Sequence, residues 1–96
     1  MNNNLNNIEN CFIYTRDNCR FCVLAIELLK ENKINFNEMK VNDTNVKHQV
    51  YNILSNKYKR EIKTLPQIIT NSGVLIGGYT DLYDILQKKD TQECVK

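Results

Sequence analysis

Glycine and proline are scarce in this chain of 96 residues. There is one proline, Pro66, and three glycines, Gly73, Gly77 and Gly78, all late in the sequence. No Pro- or Gly-rich linker, repeat or domain boundary is visible, and the length suits a single domain with a modest core. No run of about 18 apolar residues exists, which excludes a membrane-spanning helix. The start, "MNNNLNNIEN", has neither the basic beginning nor the apolar centre of a signal peptide. Residues 1–9 are expected to form an Asn-rich leader without firm structure, and the location is expected to be cytoplasmic. Histidine occurs once, at His48, and of the four cysteines only Cys19 and Cys22 are close in sequence. A structural zinc site usually needs two such pairs, so no metal site is expected. A net charge of +2 is too small to suggest nucleic acid. One local cluster, "KYKREIK" (57–63), reads either as a solvated helix end or as an attractor for a small anion or acidic partner.

What is present is a clear alternation of element types. "CFIYT" (11–15) is short, apolar and rich in strand formers. From Cys22 the period changes, and Cys22, Ala25, Ile26 and Leu29 fall on one helical face, with Asn32 as a stop. "INFNEMKV" (34–41) alternates as a strand does, and "NDTN" (42–45) supplies capping residues. A second helix then carries Val46, Val50, Ile53 and Leu54 on its apolar face to about Lys59. "LPQIIT" (65–70), the turn "NSG" and "VLIG" (74–77) read as a hairpin. Thr80 or Asp81 is expected to cap a last helix bearing Leu82, Ile85 and Leu86, followed by a polar tail at 91–96. The order is β-α-β-α-β-β-α. Its opening βαβ unit should be parallel and right-handed. The whole predicts an α/β fold in which a four-stranded mixed sheet is flanked by three helices.

Three stretches carry chemistry. "CRFC" (19–22) lies where a strand gives way to a helix. The helix N-terminus presents unpaired N–H groups and a positive dipole end, which lower the pKa of Cys19, and Arg16 and Arg20 add positive charge. Cys22, one turn on, is placed to attack a mixed disulfide on Cys19 and should be the more buried of the two. "TLPQ" (64–67) puts the proline at a strand start. A cis Leu65–Pro66 bond would turn the backbone toward the cysteines and let Leu65 pair with an extended peptide. An ordinary trans edge proline fits the sequence as well. "GGYTD" (77–81) is either a tight turn with open N–H groups for an anion, plus a carboxylate for an ammonium, or a plain capped loop.

In that order and spacing, "CRFC", "TLPQ" and "GGYTD" resemble the dithiol glutaredoxins, over roughly residues 10–90. The resemblance implies a thioredoxin-like fold and a glutathione-dependent thiol–disulfide oxidoreductase. Cys19 would be the nucleophile, Cys22 the resolving thiol and Pro66 the cis-proline. Leu65 would bond the cysteinyl unit of glutathione through its backbone, while Thr80 and Asp81, with Gly78 in the same turn, would hold the γ-glutamyl end. Phe21 would wall the site beside Thr64. Arg16 or Lys63 would meet the glycyl carboxylate, with Gln49 a further polar candidate. The partners implied are glutathione and glutathionylated or disulfide-bearing proteins, ribonucleotide reductase among the candidates, with the chain a monomer. The family's usual Pro-Tyr between the cysteines is here Arg20-Phe21. Loss of that proline accompanies, in some relatives, a [2Fe–2S] cluster held between two subunits, for which Cys19 would be the ligand. A redoxin fed by thioredoxin reductase is the other alternative. Outside the motifs, Cys11 is expected in the core, Cys94 as an exposed bystander, His48 on a solvent face, Tyr14 in the core or beside the site, and Tyr79 beside the site or over the hairpin.

Overall fold

The computed structural model describes residues 10–95, with side chains placed through residue 87. The leader, residues 1–9, and the side chains from residue 88 on, that of Cys94 included, lie outside what is described. The elements are β1 (Asn10–Thr15), α1 (Arg20–Glu31), β2 (Asn35–Lys40), α2 (Thr44–Tyr58), β3 (Gln67–Thr70), β4 (Leu75–Gly77) and α3 (Tyr79–Val95). One sheet has the strand order β2-β1-β3-β4. β1 runs parallel to β2 and antiparallel to β3, and β4 returns antiparallel to β3. This is the mixed, helix-flanked sheet expected from the sequence. The last helix reaches Val95, past the polar residues expected to end it.

The period of two in the strands divides the core into two layers. Cys11 and Ile13 of β1, Ile68 of β3 and Ile76 of β4 face Ala25 and Leu29 of α1 and Leu82 of α3. Their neighbours Tyr14, Ile69 and Leu75 point the other way, toward Val50 and Leu54 of α2 with Val41 and Ile62. The sheet is therefore covered by α1 and α3 on one face and by α2 on the other. Tyr14 takes the core role. β1 is central and pairs on both sides, which fixes the position of its carboxyl end.

Two apolar patterns bury less than their spacing suggests. On α2, Val50 and Leu54 are buried, but Val46 and Ile53 are 37% and 62% exposed. β2 is an edge strand, and its Met39 is 44% exposed although Ile34 and Val41, which flank the strand, are buried. A single helix covers this face, so it shields only the strip beneath it.

Scarce glycine leaves its mark at the turns. Asn18, Lys33 and Lys59 all take positive φ, at 57°, 59° and 57°. At the end of α1, the N–H of Ile34 bonds the carbonyl of Leu29 and that of Lys33 bonds Lys30, a Schellman closure with lysine where glycine is usual. Asn32 is the C-cap, and its side-chain amide also donates to the Leu28 carbonyl at 2.9 Å. Asp43 caps α2 by accepting from the N–H of Val46 at 3.1 Å.

Cys11 is 3% exposed, and burial pushes its thiol up from 9.0 to about 11. The thiolate is the penalised form, so the folded chain holds this proton to higher pH than the unfolded chain does. The associated stability is complete below the unfolded value and is lost as pH climbs through about 11. Denaturant unfolding under reducing conditions should show wild type losing stability between pH 9 and 11 more steeply than Cys11→Ala, by up to about 2 kcal/mol. Parallel pH curves for the two proteins would contradict this.

Candidate active site

The chain leaves the carboxyl end of β1 through a turn at Asp17 and Asn18. Asn18 takes the left-handed conformation that asparagine tolerates better than most residues. The turn is tied to the far side of the βαβ unit. The N–H of Asp17 donates to Asn42 Oδ1 at 2.8 Å, while its carboxylate accepts from Asn42 Nδ2 at 3.0 Å and Lys40 Nζ at 2.9 Å. The Lys40 hydrogen bond, aided by its charge, holds the Asp17 carboxyl below its ordinary value. Beside this, the Val41 N–H bonds the Thr15 carbonyl at 2.8 Å, and the buried Thr15 hydroxyl donates to Glu38 at 2.6 Å.

This turn delivers Cys19 as the N-cap of α1. Its backbone is extended, at φ −120° and ψ 105°, and its sulfur accepts from the N–H of Cys22 at 3.2 Å. A cap atom of this kind satisfies one of the unpaired N–H groups of the first turn. Here that atom is sulfur, so the N–H group and the dipole favour its negative form. Cys22 is 2% exposed and Cys19 9%, and the two are joined by a disulfide. The pair is thus seen in its oxidised form, with the less exposed sulfur inside, as expected. Arg20 and Phe21 between them are exposed.

The opposite wall comes from the segment before β3. The Leu65–Pro66 peptide is cis, and Pro66 is fully buried. The Leu65 carbonyl oxygen lies 3.8 Å from the Cys19 sulfur. Gln67, buried, donates through Nε2 to the Thr64 carbonyl at 3.0 Å, which closes the loop on itself. The end wall is the turn into α3. Gly77 has φ +117°, and a Cβ there would collide with the Asp81 carboxylate, so glycine is required for both backbone and space. A Cβ on Gly78 would meet the Pro66 carbonyl at 3.5 Å, which shows how closely "GGYTD" approaches "TLPQ". Neither Thr80 nor Asp81 is the N-cap. The Gly78 carbonyl accepts from Leu82, and Asp81, already inside the first turn, reaches back to the Gly78 N–H at 3.0 Å. That is the N3 half of a capping box.

These walls enclose a cavity of about 330 Å³. Of the residues expected at the site, Phe21, Thr64, Leu65, Pro66, Gly78, Thr80 and Asp81 line it. Tyr79 lines it too, its ring 6.1 Å from those of both Phe21 and Tyr83. Cys19, Cys22, Arg16, Lys63 and Gln49 are not among the lining residues; Cys19 adjoins the cavity through Leu65, whose carbonyl lies 3.8 Å from its sulfur. The Arg16 guanidinium donates to the carbonyl of Asp17; burial holds the phenol of Tyr51 on α2 above its ordinary value, and the Arg16 charge lessens that push. Lys63 pairs with Glu61 at 3.5 Å. His48 is exposed, edge-on to Tyr51. The lining also includes Gln67 and Gly77, which belong to the motifs "TLPQ" and "GGYTD" but were given no role, and Arg60, Glu61 and Ile62, which fall in the basic cluster at 57–63. Among the described residues no three His, Cys, Asp or Glu side chains gather as a metal-holding group.

The family model for glutaredoxin matches residues 11–75. The chain belongs to the glutaredoxin family. Among solved structures it is similar to glutaredoxin 1 from Francisella tularensis, which was determined with cacodylate. Identity is 33% and the TM-score 0.75, over 82% of this chain and 93% of that one. It is also similar to the glutaredoxin from Brucella melitensis, at 28% identity and TM-score 0.64, over 90% of this chain and 87% of that one. A dithiolic glutaredoxin from Trypanosoma brucei brucei shares the fold at TM-score 0.69 and 21% identity, over 100% of this chain and 98% of that one. A search of curated proteins returns no match. Family membership and the bonded Cys19–Cys22 pair make the chain a thiol–disulfide oxidoreductase on a thioredoxin-like fold.

If the Cys22 N–H and the helix dipole act on the Cys19 sulfur, the thiol of Cys19 in a Cys22→Ser variant should titrate below the ordinary range of a free cysteine. Ultraviolet thiolate absorbance across pH, with a Cys19→Ser/Cys22→Ser protein as blank, measures it. Titration at the ordinary value would contradict the capping account.

Proposed function

We propose that this oxidoreductase works with glutathione, reducing glutathione mixed disulfides and protein disulfides. The observation that supports this most is the cavity joining the Leu65–Pro66 backbone to the Gly78–Asp81 turn beside Cys19. A tripeptide joined to Cys19 would lie along Leu65 as a short added strand. Its γ-glutamyl carboxylate would meet the N–H groups that open α3, and its ammonium would meet Asp81. Asp81 already accepts from Gly78 in that turn, so the carboxylate is oriented before a ligand arrives.

In the monothiol route the Cys19 thiolate attacks the glutathione sulfur of a mixed disulfide. A Cys19–glutathione disulfide forms, and the other thiol leaves as a thiolate that takes up a proton. A second glutathione thiolate then attacks the bound glutathione sulfur, giving oxidised glutathione and restoring the Cys19 thiolate. In the dithiol route Cys19 attacks a protein disulfide, and Cys22, having lost its proton, attacks the Cys19 sulfur. The target leaves fully reduced and the Cys19–Cys22 disulfide remains, to be reduced by two glutathiones. Glutathionylated proteins and intramolecular disulfides such as that of a ribonucleotide reductase are the substrate classes proposed, with the chain acting as a cytoplasmic monomer.

A glutathione-coupled assay on a small glutathione mixed disulfide tests this reading. Cys19→Ser should fall to the uncatalysed rate, while Cys22→Ser should keep turning over this substrate and lose activity on an intramolecular protein disulfide. Asp81→Ala should raise KM for the mixed disulfide about tenfold, the loss of one charge-assisted hydrogen bond. Turnover by wild type with thioredoxin reductase and none with glutathione would overturn the proposal.

A further inference from the structure

Cys19 works from the end of a turn, and a side chain that holds this turn comes from another part of the chain. Asn42 follows β2 and precedes Asp43, the N-cap of α2. It belongs to "NDTN", in which Asp43 takes the capping role, and it does not line the cavity. Its amide faces Asp17, 25 positions earlier in the chain and two before the nucleophile. Asn42 Oδ1 accepts from the Asp17 N–H at 2.8 Å, and Asn42 Nδ2 donates to Asp17 Oδ2 at 3.0 Å. The other oxygen of the same carboxylate accepts from Lys40 Nζ at 2.9 Å.

The exchange has a direction. The Asp17 carboxylate only accepts and the Asp17 N–H only donates, so a partner for both must offer a donor and an acceptor side by side, as one amide does. β1 and β2 pair in parallel as far as Thr15 and Lys40, and the Val41 N–H bonds the Thr15 carbonyl at 2.8 Å. In a continued ladder the Asp17 N–H would next bond the Val41 carbonyl, and Asn42 Oδ1 takes that place. The turn is thereby fixed to the sheet after the strands have ended. Its next residue, Asn18, is held at φ 57°, a conformation that costs a non-glycine residue energy and persists only where its surroundings enforce it. Cys19 follows at once in extended backbone, with its sulfur 3.2 Å from the Cys22 N–H. Loss of the exchange would let Asp17 and Asn18 relax and would spoil the cap without altering any group that touches the sulfur.

We infer that Asn42 is a positioning residue for the nucleophile: through Asp17 it holds the turn that sets the Cys19 sulfur on the first N–H groups of α1. It acts without touching substrate. The inference concerns attack by Cys19 on any disulfide and stands apart from the choice of reductant.

The test follows the full chain carrying Cys22→Ser as it reacts with a small symmetrical aromatic disulfide. The Cys19 thiolate attacks one sulfur, a mixed disulfide forms, and the coloured aromatic thiolate that leaves is counted. A Cys19→Ser/Cys22→Ser protein is the blank for Cys11 and Cys94. Added to the Cys22→Ser background, Asn42→Ala should slow the reaction at neutral pH about five- to tenfold and move the midpoint of its pH profile upward. Asn42→Asp should be as slow, because two carboxylates then face each other. Asp17→Asn combined with Asn42→Asp again sets a carboxylate opposite an amide, with the roles exchanged, and should bring the rate to within about twofold of the background protein. Lys40→Met should cost no more than about twofold, since its ion pair is exposed. A general loss of structure would neither move the pH profile nor be repaired by the exchange. The inference is overturned if Asn42→Ala reacts as the background protein does, or if its rate falls with the pH profile in place. It is also overturned if the exchanged pair is no faster than Asn42→Asp alone, or if Lys40→Met loses as much as Asn42→Ala.

Discussion

A sulfur atom caps the first helix, and the chemistry of the site depends on that bond. The Cys19 sulfur accepts from the Cys22 N–H at the positive end of α1, in the position a serine or aspartate oxygen usually takes. The same short geometry does two things. It favours the thiolate, and it spaces Cys22 one turn away so that the two sulfurs can bond. Everything upstream places the cap. β1 is paired on both sides, Asn18 turns the chain, and Asn42 and Lys40 hold the turn through Asp17. The Lys40–Asp17 pair is exposed and adds little to stability. Its part is geometric, joined as it is to the two-way exchange between Asp17 and Asn42.

The second wall is built on the opposite logic, close backbone approach in place of a side-chain cap. Pro66 is fully buried, and a Cβ on Gly78 would meet its carbonyl at 3.5 Å, an ordinary contact, so the two walls lie about one methyl group apart. Gly77 is the one glycine whose conformation and surroundings both exclude a side chain, because Asp81 occupies the place of its Cβ. The resulting cleft carries Arg60 and Asp81 among its lining residues and adjoins the Cys19 sulfur through Leu65. That combination suits a small peptide thiol better than a flat protein surface.

Much of this was legible in the sequence, and the reasons are local. Periods of 3.6 and 2, a strand-to-helix junction holding Cys19 and Cys22, and a lone proline at a strand start are each encoded within a few residues. The exposure of Val46, Ile53 and Met39 was not, because it depends on how wide a strip one helix covers on the far face of the sheet. The role of Asp81 within its turn was misjudged for a similar reason. Capping residues can act forward or backward, and the composition of "GGYTD" does not distinguish the two. Arg60 was hidden among the charges of "KYKREIK", where only the bonds of the Ser55 hydroxyl with the Ile62 N–H and carbonyl decide which cation faces the cleft. Proximity to a motif favoured Arg16 and Lys63, but Arg16 bonds the Asp17 carbonyl and a neighbouring carboxylate draws off Lys63.

The central claim is that the capped sulfur and the cleft beside it form one site for glutathione. The most direct measurement is a structure of the Cys22→Ser protein after reaction with oxidised glutathione. The account predicts a single disulfide to Cys19, with the tripeptide backbone along Leu65 and its γ-glutamyl end at the Gly78–Asp81 turn. A tripeptide attached at Cys19 but lying outside this cleft, or attachment at Cys11 in its place, would contradict it.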